Sequence, residues 1–316
     1  MRLDLERELS AFDEHLTAEL RSDPELLGDI GVSLIQAGGK RVRPRLALLT
    51  GALLNADPAH GRDVAMAVEM LHSASLLHDD LIDESDTRRG RPAAHRLFSN
   101  TVSVMAGDFL LARVLRVLAR SRNHDFTMLM SDVAAAICEA EILQYQIAGS
   151  TDYSFGKYLS VIDGKTAVLI SAALEGVAIL ADTDEATRTA LRGFGMHYGR
   201  AFQLRDDLLD LVAEETSLGK PTGNDLREGK ATWPVLLLLD SGDAEAAAIV
   251  ERRAEEPGDV ERMASLVRES GAAAATRERI EDETAKARTV LESHFPDSPA
   301  RSALLQLASA EAERAV

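Results

Sequence analysis

The stretch 76-LLHDDLIDESDTRRGRP-92 places Asp79, Asp80 and Asp83 within an otherwise apolar run, with Arg88 and Arg89 close behind. The pattern returns at 201-AFQLRDDLLDLV-212, where Asp206, Asp207 and Asp210 repeat the spacing. On a helix, residues one and four positions on from a given side chain fall toward the same side, so each trio should crowd one face and repel itself unless a cation intervenes. The neighbours Leu76, Leu77, Leu81, Ile82, Leu208, Leu209 and Leu211 are too apolar for a fully solvated acidic surface. Both trios are expected near the C-terminal ends of long helices, where the helix dipole also disfavours carboxylates. Bound cations remove both penalties. Mg²⁺ prefers oxygen ligands, takes one or two protein carboxylates, and completes its shell with water and substrate phosphate. Two facing aspartate clusters therefore describe a cage that holds a diphosphate through shared Mg²⁺ ions.

Composition sets the frame around those clusters. The chain has 316 residues, 46% hydrophobic and only 4% aromatic, a core of aliphatic side chains and alanine that favours helices over sheets. An all-α fold follows: one large helical bundle occupying 1–316 as a single domain. A formal charge of −17 argues against nucleic acid as a partner, and no polybasic run addresses anionic lipid. The N-terminal segment MRLDLERELSAFDEH lacks a signal-like apolar region, and no later stretch is apolar for the ~18 residues a membrane span needs. A soluble, cytoplasmic protein is the expectation. The single cysteine, Cys138, excludes an internal disulfide and reads as a buried, inert thiol in an alanine-rich helix.

Prolines and capping residues divide the chain. Asp23-Pro24, Asp57-Pro58 and Ser298-Pro299 each pair an N-cap side chain with proline at the first helical position, and Thr183 before Asp184 and Glu185 marks another start. Helical periodicity runs through roughly 101–120, 125–148, 165–181 and 186–213, separated by GS, DG and DT punctuation. No alternating run is convincing as a strand.

The basic residues carry a second signal. There are six lysines against 29 arginines, yet Lys40, Lys165, Lys220 and Lys230 all sit in glycine-containing segments: 38-GGKRVRP-44, 163-DGKTA-167, 219-GKPTG-223 and 228-EGKAT-232. Lysine supplies a compact charge on a flexible stem, and glycine permits close backbone approach, a combination suited to phosphate oxygens. One such turn could simply be a helix stop with a cation near the terminal carbonyls. Four together favour an anion site.

Taken in order, GGKRVRP, LLHDDLID with RRG behind it, GKT, FQLRDDLLD and the paired GK and EGK turns resemble the trans-isoprenyl diphosphate synthases, or polyprenyl synthetases, over about Gly38 to Pro234. Trp233 departs from the pattern, which usually has a smaller aliphatic residue there. The resemblance implies the isoprenoid synthase fold with a central elongated apolar cavity. It also implies Mg²⁺, three ions per site, and a homodimer. By residue, it implies that Asp79, Asp80, Asp83, Asp206, Asp207 and Asp210 hold Mg²⁺ on an allylic diphosphate, with Arg88, Lys165, Thr166, Gln203, Lys220 and Lys230 around its oxygens. Lys40, Arg43, His72 and Arg89 would hold isopentenyl diphosphate. The implied reaction is a head-to-tail condensation needing no side-chain general base. Ala74 and Ser75 are small, and Leu71 and Val68 lie beyond them on a segment without aromatics, so a growing tail can run down the helix below Asp79. A medium- to long-chain product is expected, with a farnesyl- or geranylgeranyl-length product as the alternative.

Other readings fit less well. A terpene cyclase would carry an Asn/Ser/Glu motif at the second cluster, a non-catalytic partner subunit would have lost one cluster, and a di-iron bundle needs two Glu-x-x-His pairs where only Glu69 to His72 is visible. The helices of 241–316 have no assigned role.

Overall fold

The computed structural model describes residues 4–23, 25–36, 41–83, 85–88, 91–148, 152–213 and 222–313. The chain forms two compact units, one comprising Met1–Ala134, Ala172–Arg192 and Phe295–Leu304, the other Ala135–Ser171, Gly193–His294 and Leu305–Val316. Apart from one pair of two-residue strands, the regular structure of the described residues is helical.

In the first unit, α1 (Leu5–Glu19), α2 (Glu25–Gln36), α3 (Val42–Leu53), α4 (Pro58–Ile82), the short α5 (Ala94–Leu97) and α6 (Asn100–Ser121) follow one another. The helix α4 carries the first aspartate cluster and shows why it forms where it does. Asp57 caps it by accepting the Ala59 N–H at 2.8 Å, and Pro58 opens it with a φ already set for a helix. It ends at Asp83. Its packing against α3 and α6 buries Val64, Ala67, Val68, Met70, Leu71, Ala74 and Leu77, the larger of which each stabilise the fold by ~1.5–3 kcal/mol. Beside it, Arg41 reaches Glu69 at 2.8 Å, so the one Glu-x-x-His pair spends its carboxylate on an ion pair.

The strand pair is the one departure from an all-helical reading. β1 (Thr87–Arg88) and β2 (Arg91–Pro92) pair antiparallel, Thr87 opposite Pro92 and Arg88 opposite Arg91. Two residues on each side are too few to show alternation in a sequence.

The helices α7 (His124–Ile147), α9 (Val168–Leu180), α10 (Glu185–Val212) and α16 (Pro299–Glu313) each contribute residues to both units. Wholly within the second unit are α8 (Phe155–Ile162), α11 (Asn224–Arg227), α12 (Trp233–Asp240), α13 (Ala244–Glu251), α14 (Asp259–Glu269) and α15 (Ala272–His294). Asp184 caps α10 through the Thr187 N–H at 2.9 Å, one residue later than Thr183, whose hydroxyl instead donates to the Ala178 carbonyl. Ser298 caps α16 through the Arg301 N–H.

Two expectations fail here for physical reasons. The 163-DG-164 pair does not break a helix. Asp163–Ala167 is a π-helical turn joining α8 to α9, in which the Val168 N–H bonds back to the Asp163 carbonyl. Gly164 is there for proximity: a Cβ on it would lie 2.7 Å from the Ala140 Cβ and 2.9 Å from the Ala136 carbonyl on α7. On the other side, a Cβ on Gly199 of α10 would lie 2.5 Å from the Ala167 Cα. The turn is thus pressed between two helices through glycines. Cys138, expected buried, is exposed on α7, because its neighbours Ile137 and Ala140 take the inward positions.

Candidate functional site

The second unit holds a cavity of about 230 Å³ whose lining includes Tyr158, Lys165, Thr166, Gln203, Asp207, Asp225 and Lys230 together with apolar groups such as Ile147, Val161 and Leu236. Four elements supply these polar side chains: α8 Tyr158, the π turn Lys165 and Thr166, α10 Gln203 and Asp207, and the segment from α11 onward Asp225 and Lys230. Hydrogen bonds join them into a chain. Thr166 Oγ1 donates to Gln203 Oε1 at 2.9 Å, Gln203 Nε2 donates to Asp207 Oδ1 at 2.7 Å, and the Tyr158 hydroxyl donates to Asp207 Oδ2 at 2.6 Å. Both oxygens of Asp207 are therefore held in place. Lys165 Nζ pairs with Glu141 on α7, Lys230 Nζ pairs with Glu228, and the Lys230 N–H bonds the Asp225 carbonyl at 2.8 Å.

The carboxylates here share one environment. Burial pushes Asp207 up to about 6, against the Tyr158 and Gln203 hydrogen bonds that pull it down, with the Asp206 and Asp210 charges adding to the rise. Burial likewise pushes Asp225 up to about 8, with the charges of Asp207 and Asp210 adding and Lys230 opposing. The Asp225 N–H donates to Asp210 Oδ2 at 3.2 Å, and the Gly223 N–H to the Asp210 carbonyl at 2.7 Å, so the chain at Gly223–Asp225 is tied to the last aspartate of α10.

The two trios do not crowd single faces as expected. In each, the step of about 100° between adjacent residues separates the first pair. On α4, Asp79 is half-buried, Asp80 is 1% exposed and Asp83 is exposed. On α10, Asp207 and Asp210 turn inward, while the Asp206 side chain is 45% exposed and bonds Arg205. Among the described residues no three acidic, histidine or cysteine side chains already converge as a finished metal cage.

The sequence matches the polyprenyl synthetase family over residues 24–269. The chain belongs to that family. It is 35% identical to the octaprenyl diphosphate synthase of Haemophilus influenzae, across 97% of this chain and 94% of that one. It is 36% identical to the all-trans-nonaprenyl-diphosphate synthase (geranyl-diphosphate specific) of Rhodobacter capsulatus, across 95% and 93%. Among solved structures, the polyprenyl synthase of Caulobacter crescentus, crystallised with calcium and isoprenyl diphosphate, superposes with a TM-score of 0.92 at 36% identity, covering 98% of this chain and 96% of that one. The fold is therefore the isoprenoid synthase fold, and the chain is a prenyltransferase. Polyprenyl synthetases are generally metal-dependent and use isopentenyl and allylic diphosphates.

Of the residues singled out in the sequence, Lys165, Thr166, Gln203, Asp207 and Lys230 line one cavity of the second unit. Asp206 and Asp210 flank it on α10 without lining it. In the first unit, Arg43 lies on α3, and His72 lies on α4 with Asp79 and Asp80. Lys40, Arg89 and Lys220 lie outside the described residues, as does the Arg88 side chain.

Tyr158 and Asp225 were missed by the sequence reading. Asp225 carried a faint signal, an acid between the GK and EGK turns; Tyr158 carried none beyond its position one helix ahead of Lys165. Trp233, the departure from the family pattern, has a place: its ring lies 4.7 Å from Phe155 and 5.7 Å from Tyr158, with the Arg279 guanidinium 5.4 Å above it. It packs against Tyr158 with the rings tilted at 57°.

The donor chemistry fits a hard divalent cation, since Asp207 and Asp210 offer carboxylate oxygens, and a cation would relieve the repulsion among them and the nearby Asp225. The same repulsion has a measurable consequence without metal. Asp225 has an ordinary value of 3.8 and a folded value of about 8, so its contribution to stability is complete below the first and lost as pH rises through the second. Asp225→Asn removes that loss. In chelator, its melting temperature should exceed the parent's by a margin that widens from about pH 5.5 to about pH 8; a constant margin would mean the carboxylate is not held neutral by its surroundings.

Proposed function

We propose that this chain makes an all-trans polyprenyl diphosphate of medium to long chain by Mg²⁺-dependent head-to-tail (1′-4) condensation of isopentenyl diphosphate with an allylic diphosphate. The observation that carries the reading is a cavity lined by two lysines, Thr166, Gln203 and a doubly hydrogen-bonded aspartate together with apolar side chains. The relatives named octaprenyl and nonaprenyl diphosphate synthases support the chain length.

In this reading Asp79, Asp80 and Asp83 on α4, and Asp206, Asp207 and Asp210 on α10, are the residues that would hold Mg²⁺, three ions in all. When bound, the metal offsets the negative charge of the diphosphate and favours its departure. Lys165, Lys220, Lys230 and Arg88 bind the diphosphate oxygens, and Thr166 and Gln203 orient them while keeping Asp207 in position. The allylic C–O bond breaks with its electron pair going to the diphosphate. The isopentenyl double bond then supplies the electrons of the new C–C bond, and loss of a proton to a diphosphate oxygen restores a double bond. Lys40, Arg43, His72 and Arg89 hold isopentenyl diphosphate. Apolar walls keep water from the carbocation, and Val68, Leu71, Ala74 and Ser75 border the tail.

We place the enzyme in the cytoplasm; among the described residues no helix is long and apolar enough to cross a membrane. A homodimer is supported by the large apolar side chains exposed on α6 and α7, Met105, Leu115 and Met128 among them. Incubating the full chain with isopentenyl and farnesyl diphosphates and Mg²⁺, then chromatographing the dephosphorylated products, tests the reading. A ladder ending at about C30 or beyond is expected; no condensation, or a stop at geranylgeranyl length, overturns it.

A further inference from the structure

Arg205 is buried to 1% exposure one residue before Asp206, and three groups of the second unit surround it. Its Nε donates to Asp206 Oδ1 at 3.1 Å, and its Nη2 donates to the same oxygen. Its Nη1 pairs with Glu311, itself 3% exposed, near the end of α16. Its guanidinium lies 4.7 Å above the Phe202 ring. Glu311 is also fixed by its other oxygen, which accepts the Tyr198 hydroxyl at 3.0 Å.

A lone arginine there would spend its charge on Asp206, lowering that carboxylate's attraction for a cation. With Glu311 on the far side of the guanidinium, the Arg205–Glu311 pair is neutral, and Asp206 keeps its charge while one of its oxygens stays oriented. We infer that Glu311 is a positioning residue for the second aspartate cluster: it neutralises Arg205, so that Arg205 aims Asp206 without competing with a divalent cation for it. This gives the C-terminal helix a role at the active site, and partners behind a metal ligand are worth about tenfold or more in affinity. The inference rests on Asp206 holding a divalent cation, as proposed above.

The bland alternative is that the buried pair only fastens α16 to α10. The two are separated by titrating full-length protein with Mn²⁺ at a fixed concentration of inorganic diphosphate, following free Mn²⁺ by electron paramagnetic resonance, with melting curves to confirm folding. Glu311→Gln leaves Arg205 uncompensated and should weaken Mn²⁺ binding about tenfold. Tyr198→Phe keeps the charge and should bind within about twofold of the parent. The double variant Arg205→Met/Glu311→Gln removes both charges and should recover binding to within about threefold of the parent, as apolar replacement of buried ion pairs preserves folding in other proteins. If Glu311→Gln alone does not fold, the double variant keeps the inference open to refutation, since binding about tenfold weaker than the parent's overturns it. Unchanged binding in Glu311→Gln, or a double variant about tenfold weaker than the parent, overturns the inference. A parent that does not bind Mn²⁺ at all overturns the proposed function with it.

Discussion

Asp79→Ala and Asp206→Ala should each lower turnover by about two to three orders of magnitude while the fold stays intact, the scale of losing one group that stabilises charge in a transition state. Neither side chain is part of the core. Asp79 is half-buried at the end of α4, and the Asp206 side chain is 45% exposed at the end of α10. Removing Asp79 takes one carboxylate away from Asp80 and Asp83, which relieves repulsion in the metal-free protein. Removing Asp206 costs the two hydrogen bonds from Arg205, but Arg205 keeps its buried partner Glu311, so no bare charge is left inside. Metal-free melting temperatures should therefore hold or rise for Asp79→Ala and change little for Asp206→Ala. Steady-state prenyl transfer at saturating Mg²⁺ is the measurement. Near-normal turnover in either variant would show that its cluster does not hold the reacting diphosphate.

The second large effect is on product length. α4 runs unbroken from Pro58 to Ile82, so Asp63 lies about 24 Å from Asp79 at ~1.5 Å per residue, room for roughly five isoprene units beyond the reacting end. Ala74→Phe and Ser75→Phe place a ring one turn below Asp79 and should cut the product to farnesyl or geranylgeranyl length. The two variants differ in their structural cost. Ala74 is 1% exposed, and a phenyl ring there crowds a packed site at ~1–3 kcal/mol. Ser75 is half-buried, and its hydroxyl donates only to the His72 carbonyl at 3.0 Å, one turn back on its own helix. Ser75→Phe is thus the cleaner test. Chromatography of dephosphorylated products from folded variants decides; chains as long as the parent's would mean the tail does not pass these residues.

The parts of the molecule visible in the sequence are those governed by local rules. Asp57-Pro58 and Ser298-Pro299 mark helix starts because a cap and a proline act within one turn, and the long periodic segments became α6, α7 and α10 within a residue or two. The aspartate trios stood out because clustered like charges in an apolar run have few structural explanations. What stayed hidden depends on contacts between segments distant in sequence. Tyr158 matters only because folding brings its hydroxyl to Asp207, 49 positions away. Gly164 looked like punctuation, since nothing local says that Ala136 and Ala140 will press against it. The burial of Asp80 against the exposure of Asp83 depends on which helices cover α4, and Cys138 was misjudged for the same reason.

The π turn at Asp163–Ala167 makes length, more than identity, the constrained quantity in this part of the chain. A π turn holds one residue more than an α turn in the same helix, so it offsets the side chains before it from those after it by about 100°. Tyr158 lies before the offset, and Lys165 and Thr166 lie within it, yet all three line the same cavity. Deleting a single residue between Tyr158 and Lys165 would remove the offset and rotate one group away from the other. Relatives that keep this site should therefore keep the number of residues in that interval and a glycine at the position of Gly164, while varying more freely at the other positions.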